Sequence, residues 1–172
     1  MLILFSTSLI GQTWKKYKYE DLAMVAYFPE EPSRTMQQVD SELGVLDMHM
    51  VMLQPSFSDD NALYGMIRSD YPESFFADAD AELYDSVLEG SVEGAVTNVN
   101  GDLVSDENIT FNGYPGRNIK IKIEGAYIYM RAILINHIMF INQVICETPN
   151  DGNDSIERFL ESFEILRVKG DE

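Results

Sequence analysis

The chain has 172 residues, with 12 Lys+Arg against 29 Asp+Glu for a formal net charge of −17; hydrophobic residues make up 45% and charged residues 24%. That is the composition of one folded domain, not of a disordered chain. So acidic a body repels phosphate backbones and anionic headgroups, which excludes general nucleic-acid or membrane-surface binding. The single Cys excludes an internal disulfide framework and a multi-thiolate zinc site.

Residues 1–12 (MLILFSTSLIGQ) are apolar and uncharged, and end in small or polar residues ahead of Trp14-Lys15-Lys16. They are too few to cross a bilayer, which takes about 20 apolar residues. They have the apolar region and cleavage site of a secretory signal peptide cut near Gly11, although a basic leader is missing and Leu9 fits poorly three positions before the cut. The expectation is a signal-peptide remnant over 1–12 and a single domain over 13–172, exported to the periplasm or beyond and not lipid-anchored. An ordinary apolar first strand is the alternative.

Short runs rich in Tyr, Val, Ile and Met follow, separated by turn residues, as strands are. They cover Trp14–Tyr19, Leu22–Phe28, Arg34–Ser41, Val45–Gln54 and Asn61–Asp70, then Asp102–Phe111, Arg117–Ile123, Tyr127–Ile135 and Ile138–Glu147. Tight links such as Glu42-Leu43-Gly44, Glu124-Gly125-Ala126 and Asn136-His137 imply antiparallel hairpins, because a parallel pair needs a long crossover.

Two segments switch to the helical period. Ala77–Val96 puts Leu83, Tyr84, Val87, Leu88, Ser91 and Ala95 on one arc and Asp78, Glu82, Asp85, Glu89 and Glu93 on the other. Gly90 and Gly94 on the apolar arc would let this helix lie close to a sheet, at a cost of about 1 kcal/mol each against Ala. Ser155–Phe163 carries Ile156, Phe159, Leu160 and Phe163 on one stripe, with Asp154 and Glu157 at capping-box spacing.

The last hairpin, 127–135 and 138–146, does not alternate apolar with polar, so both of its faces must be covered. With one helix available for each side, the expected fold class is α+β, a three-layer α/β/α sandwich around an antiparallel sheet.

Residues that carry chemistry are few. His49 sits in a Met-rich strand and His137 in a two-residue turn, and there is no G-x-S-x-G elbow. Cys146 lies on an apolar strand followed by acidic residues, the setting of an inert thiol. Asp78-Ala-Asp80-Ala-Glu82 and Asp151-Gly-Asn-Asp154 miss the calcium-loop spacing. No phosphate-cradling glycine motif occurs, and Arg117 and Arg131 are each expected to pair with a carboxylate inside the fold. Asp85, Glu89 and Glu93 form a like-charged row at i, i+4. Such a row is either a solvated face, a weak divalent-cation site or a docking face for a basic partner.

Three fragments in order, Phe28-Pro29-Glu-Glu-Pro32, Gly113-Tyr-Pro115-Gly116-Arg117 and Phe159-Leu-Glu-Ser162-Phe163, arranged around one long helix, resemble bacterial secreted domains of the PsbP-like fold. That fold is shared by the extrinsic PsbP subunit of photosystem II and a Ran-binding import factor. Pro115-Gly116 reads there as a type II turn. The resemblance covers about Tyr19 to Leu166 and implies an antiparallel sheet between helices. It also implies non-catalytic work with a protein partner, with no cofactor and no transferable site residue. The first functional expectation is therefore an exported, non-enzymatic interaction or assembly module, not an enzyme. Its alternatives are a carrier of a small apolar ligand between helix and sheet and a hydrolase using carboxylates.

Overall fold

The computed structural model describes residues 13–41 and 44–166, so the signal-like stretch 1–12 and part of the link 42–44 lie outside the described residues. In chain order the elements are β1 (Lys15–Tyr19), β2 (Met24–Phe28), β3 (Ser33–Ser41), β4 (Gly44–Leu53), β5 (Asn61–Asp70) and α1 (Ala81–Asn98). There follow β6 (Asp102–Phe111), β7 (Tyr114–Ile123), β8 (Ala126–Ile135), β9 (Ile138–Glu147), α2 (Asp154–Glu161) and β10 (Glu164–Ile165). Seven strands form one antiparallel sheet in the order β3-β4-β5-β9-β8-β7-β6, while β1, β2 and β10 form a separate three-stranded sheet.

The layering follows from β8. Ile128, Met130, Ala132 and Leu134 point to one side and are buried with Leu88 and Val92 of α1. Ile133 and Ile135 point to the other side, into a core shared with α2 and the small sheet. That second core is aromatic: the Phe159 ring lies 5.0 Å from that of Phe28 and 5.2 Å from that of Tyr64, which meets Trp14 edge-on at 5.4 Å. Such pairs add about 0.5–1.5 kcal/mol beyond their buried area. The three-layer, α+β arrangement expected from the greasy hairpin is present, with α2 and the small sheet sharing one outer layer.

Several local expectations are corrected. The first two strands do not join the main sheet. Met24, Val25 and Ala26 of β2 are fully buried, and β2 lies between β1 and β10 in the outer layer. Pro115-Gly116 is not a turn but lies inside β7, opposite Thr110 and Ile109. The turn is Asn112-Gly113, both with positive φ (51° and 89°), the residue pair that a tight hairpin of this hand prefers. Gly116 is needed where it stands, because a Cβ there would come 2.5 Å from the Ala132 carbonyl oxygen. Helix α1 begins at Ala81, not Ala77, since Asp80 caps it by accepting the Leu83 amide (3.0 Å). Likewise Asn153, not Asp154, caps α2 through the Ser155 amide (3.1 Å). Gly90 and Gly94 do not ease a close approach: an added Cβ would meet nothing within 4 Å at either.

The cover over β9 is uneven. Ile138, Phe140, Val144 and Cys146 are buried on the α2 side. On the α1 side Met139 is buried, but Ile141, Gln143 and Ile145 are only half-buried, because α1 packs chiefly on β7 and β8.

Candidate functional site

On the α2 side of the large sheet, where α2 stops short of the β6 edge, lies a half-open groove of about 320 Å³. Register builds its floor. Ser105 of β6, Lys120 of β7 and Tyr129 of β8 form one cross-strand rung, and Glu107, Asn118 and Arg131 form the next. Directly opposed residues share a face, so each rung presents three polar side chains. The far wall is α2 with its lead-in, through Asn153, Asp154, Glu157 and Leu160.

Both cations of the groove are already bound within the chain. The Lys120 ammonium reaches Asp151 Oδ2 at 2.9 Å and sits 4.4 Å and 4.9 Å from the ring centroids of Tyr127 and Tyr129. Tyr129 donates its hydroxyl proton to Asp151 Oδ1 at 2.5 Å. Burial acts to lower the Lys120 pKa, but its contacts with Tyr129 and Asp151 outweigh burial and hold it well above the usual lysine range. Burial, reinforced by Asp151, pushes the Tyr129 phenol up. The Tyr129 hydrogen bond and then Lys120 hold the Asp151 carboxyl below its usual range.

Arg131 is a strut. It donates to Asn118 Oδ1 (3.0 Å), to the Leu160 carbonyl (3.2 Å) and to Glu161 (2.7 Å), tying the sheet to the negative end of α2. The other end of α2 is clamped by amides: Asn153 donates to Asn61 Oδ1 (2.9 Å), and Asn61 donates to the Tyr64 hydroxyl (2.7 Å). Tyr64 in turn donates to Asp59 (2.8 Å). Burial drives the Tyr64 phenol far above its usual value. The α2 wall is therefore rigidly placed.

The sequence-derived candidates lie elsewhere. Asp85, Glu89 and Glu93 are exposed along one flank of α1, across the sheet from the groove. Beneath them Arg117 makes a bidentate pair with Asp106. That pair, with Glu89 and Asp85 further off, keeps the guanidinium pKa above normal. Asp85 also lines a crevice of about 300 Å³ with Tyr84, Tyr114 and Pro115. Both strand arginines thus pair with carboxylates as expected. Cys146 is buried, and burial pushes its thiol up. Asp80 caps a helix and Asp151 binds Lys120 and Tyr129, and no three His, Cys, Asp or Glu side chains gather as a metal site among the described residues. No helix among the described residues is long and apolar enough to cross a membrane.

Sequence reasoning missed the groove with its Lys120 and Tyr129, and weighed Asp151 only as part of a calcium-loop spacing that it did not match, because sequence spacing does not show that residues 31 positions apart will meet. Asn153 was more legible: an Asn just before an apolar stripe is a helix-start signal, and Asp154 beside it drew the assignment away.

No family model matches the chain, and no curated protein matches it. Among solved structures, it is similar to the cyanobacterial PsbP (CyanoP) of Synechocystis sp. PCC 6803. The TM-score is 0.58 at 11% identity, covering 95% of this chain and 99% of that one. A Pseudomonas aeruginosa protein of unknown function aligns with a TM-score of 0.43 at 14% identity, over 80% of this chain and 85% of that one. The fold is PsbP-like, an α+β body of antiparallel sheet and two helices.

Proposed function

We propose that this chain is a non-enzymatic protein-interaction module of the PsbP-like type, exported from the cytoplasm, that holds a basic partner against the acidic flank of α1. One observation carries the non-enzymatic reading: Lys120, Tyr129 and Asp151 are tied to one another by hydrogen bonds that move their pKa values away from neutrality. Lys120 and Tyr129 are raised and Asp151 is lowered, whereas acid–base catalysis needs a group poised near the working pH. The same carboxylates that hold Lys120 and Arg131 give them structural work. Charged side chains at the groove also disfavour an apolar ligand between helix and sheet.

The partner face is Asp85, Glu89 and Glu93, exposed and without ion pairs among the described residues, and it runs from the Tyr84–Tyr114–Pro115 crevice along the helix. Photo-crosslinking in cells from position 86 between these carboxylates, followed by reciprocal tagging of the captured protein, tests this. Asp85→Lys, Glu89→Lys and Glu93→Lys together are expected to abolish capture while leaving the circular dichroism unchanged. Capture that survives the triple reversal overturns the face, and N-terminal sequencing that finds Met1 on the mature chain overturns export.

A further inference from the structure

Strand β6 ends the large sheet, so among the described residues one of its edges has no partner. Every second backbone N–H and C=O along that edge points outward. Native edges are blunted by lysine, proline, short length or a bulge. β6 is ten residues long and carries neither lysine nor proline. Its bulge, at Val104, lies near one end, and residues 105–111 pair with β7 without a break. The small sheet shows the contrast: its edge strand β1 has five residues, of which Lys15, Lys16 and Lys18 are three.

β6 is also the outer lip of the groove. Ser105 and Glu107 line that lip, and Asp154 and Glu157 of α2 stand on the far wall. The two cations of the floor are neutralised within the chain, Lys120 by Asp151 and Arg131 by Glu161. Glu107, Asp154 and Glu157 are exposed and make no ion pair among the described residues. The groove therefore keeps three unmatched carboxylates beside an unpaired strand.

We propose that β6 receives an extended segment of another protein as an eighth strand, and that a lysine or arginine of this segment enters the groove between Glu107 and Glu157. The edge and the groove together commit the occupant. Unpaired main-chain groups take an extended backbone whatever its sequence, while a cavity beside the edge selects the side chains of one face. A residue directly opposite Glu107 would stand about 5 Å from it, and a lysine or arginine there is long enough to reach across β6 toward α2. A carboxylate at that position would be repelled by all three acids. A second copy of the chain does not serve, because pairing two β6 edges would bring Asp102, Asp106 and Glu107 of each strand against an equally acidic one. This surface lies across the sheet from the acidic flank of α1 and does not depend on it.

A random twelve-residue peptide library displayed on phage, selected against the full-length chain in about 0.5 M NaCl to screen distant charge, supplies the probe. The expected consensus is a run of β-branched residues around one lysine or arginine. With that peptide added, alternate amides within residues 105–111 are expected to exchange at least tenfold more slowly, and those of α1 at an unchanged rate. N-methylating one alternate set of peptide amides should abolish binding and methylating the other set should leave it intact, a split that charge attraction alone does not produce. Glu107→Gln with Glu157→Gln should weaken binding at least tenfold at unchanged circular dichroism, while Asp85→Lys, Glu89→Lys and Glu93→Lys together change it less than threefold. No enrichment, a consensus without a basic residue, or β6 amides that exchange as fast with the peptide as without it overturns the proposal. None of these results bears on capture of a basic partner at the α1 flank, so the two readings fail separately.

Discussion

Asn142 of β9 is fully buried, and neither its Oδ1 nor its Nδ2 has a hydrogen-bonding partner in the protein. It lies between Arg131 of β8 and Met66 of β5, and the Arg131 guanidinium is engaged instead by Asn118, Leu160 and Glu161. A buried amide without a partner costs about 1–3 kcal/mol. Asn142→Val, which introduces a strand-forming residue of similar size, is expected to stabilise the fold by about 1 kcal/mol, read as a higher urea midpoint at unchanged m-value. Asp151 gives a pH-dependent outcome. Its folded carboxyl lies below the usual range, so it contributes stability that is present above the unfolded value of about 3.9 and lost as pH falls through the folded value. Lys120 is raised, so its contribution is present below about 10.4 and lost as pH rises through the folded value. Melting curves across pH should show Asp151→Asn less stable at pH 7 and flatter than wild type below pH 4. An unchanged acid limb would count against the linkage. Pairings like Asp151 with Lys120 were not legible in the chain, because they depend on which strands become neighbours.

At the scale of the element, sequence pattern and structure agree best where the period is long. Helix α1 was visible from its apolar arc and acidic flank, and its start was misplaced by four residues because Asp78 was read as part of that flank, whereas Asp80, two residues on, is the cap. The two glycines are the sharper lesson. Their place on the apolar arc suggested that they admit a close sheet, yet space is open at both. Gly90→Ala and Gly94→Ala should therefore each stabilise the helix by about 1 kcal/mol, seen as additive increases in melting temperature. Arg131→Ala removes three charge-assisted hydrogen bonds, one to Asn118 of β7 and two at the end of α2. It should cost about 1.5–3 kcal/mol, with faster amide exchange concentrated in α2. The turn at Asn112-Gly113 carried a readable hairpin signal that Pro115-Gly116 outweighed. What decided the matter was the close approach of β7 to the Ala132 carbonyl, a contact across the β7–β8 hairpin.

At the scale of the whole molecule, the chain alone determined the α+β class, the antiparallel hairpins, and that β8 is packed on both sides over residues 132–135. Those properties follow from composition, turn length and the period of apolar residues, all of them local. Tertiary structure decided the rest. It drew β1, β2 and β10 into a separate sheet, opened a groove floored by Lys120 and Arg131, and placed the acidic row of α1 on the far side of the sheet from it. Among the described residues it also left the methionine face of β4 without a helix, because an eighteen-residue helix crosses only part of a sheet seven strands wide. Whether an apolar strand face ends in the core or at the surface depends on where a distant helix comes to rest, and no spacing within the strand records that.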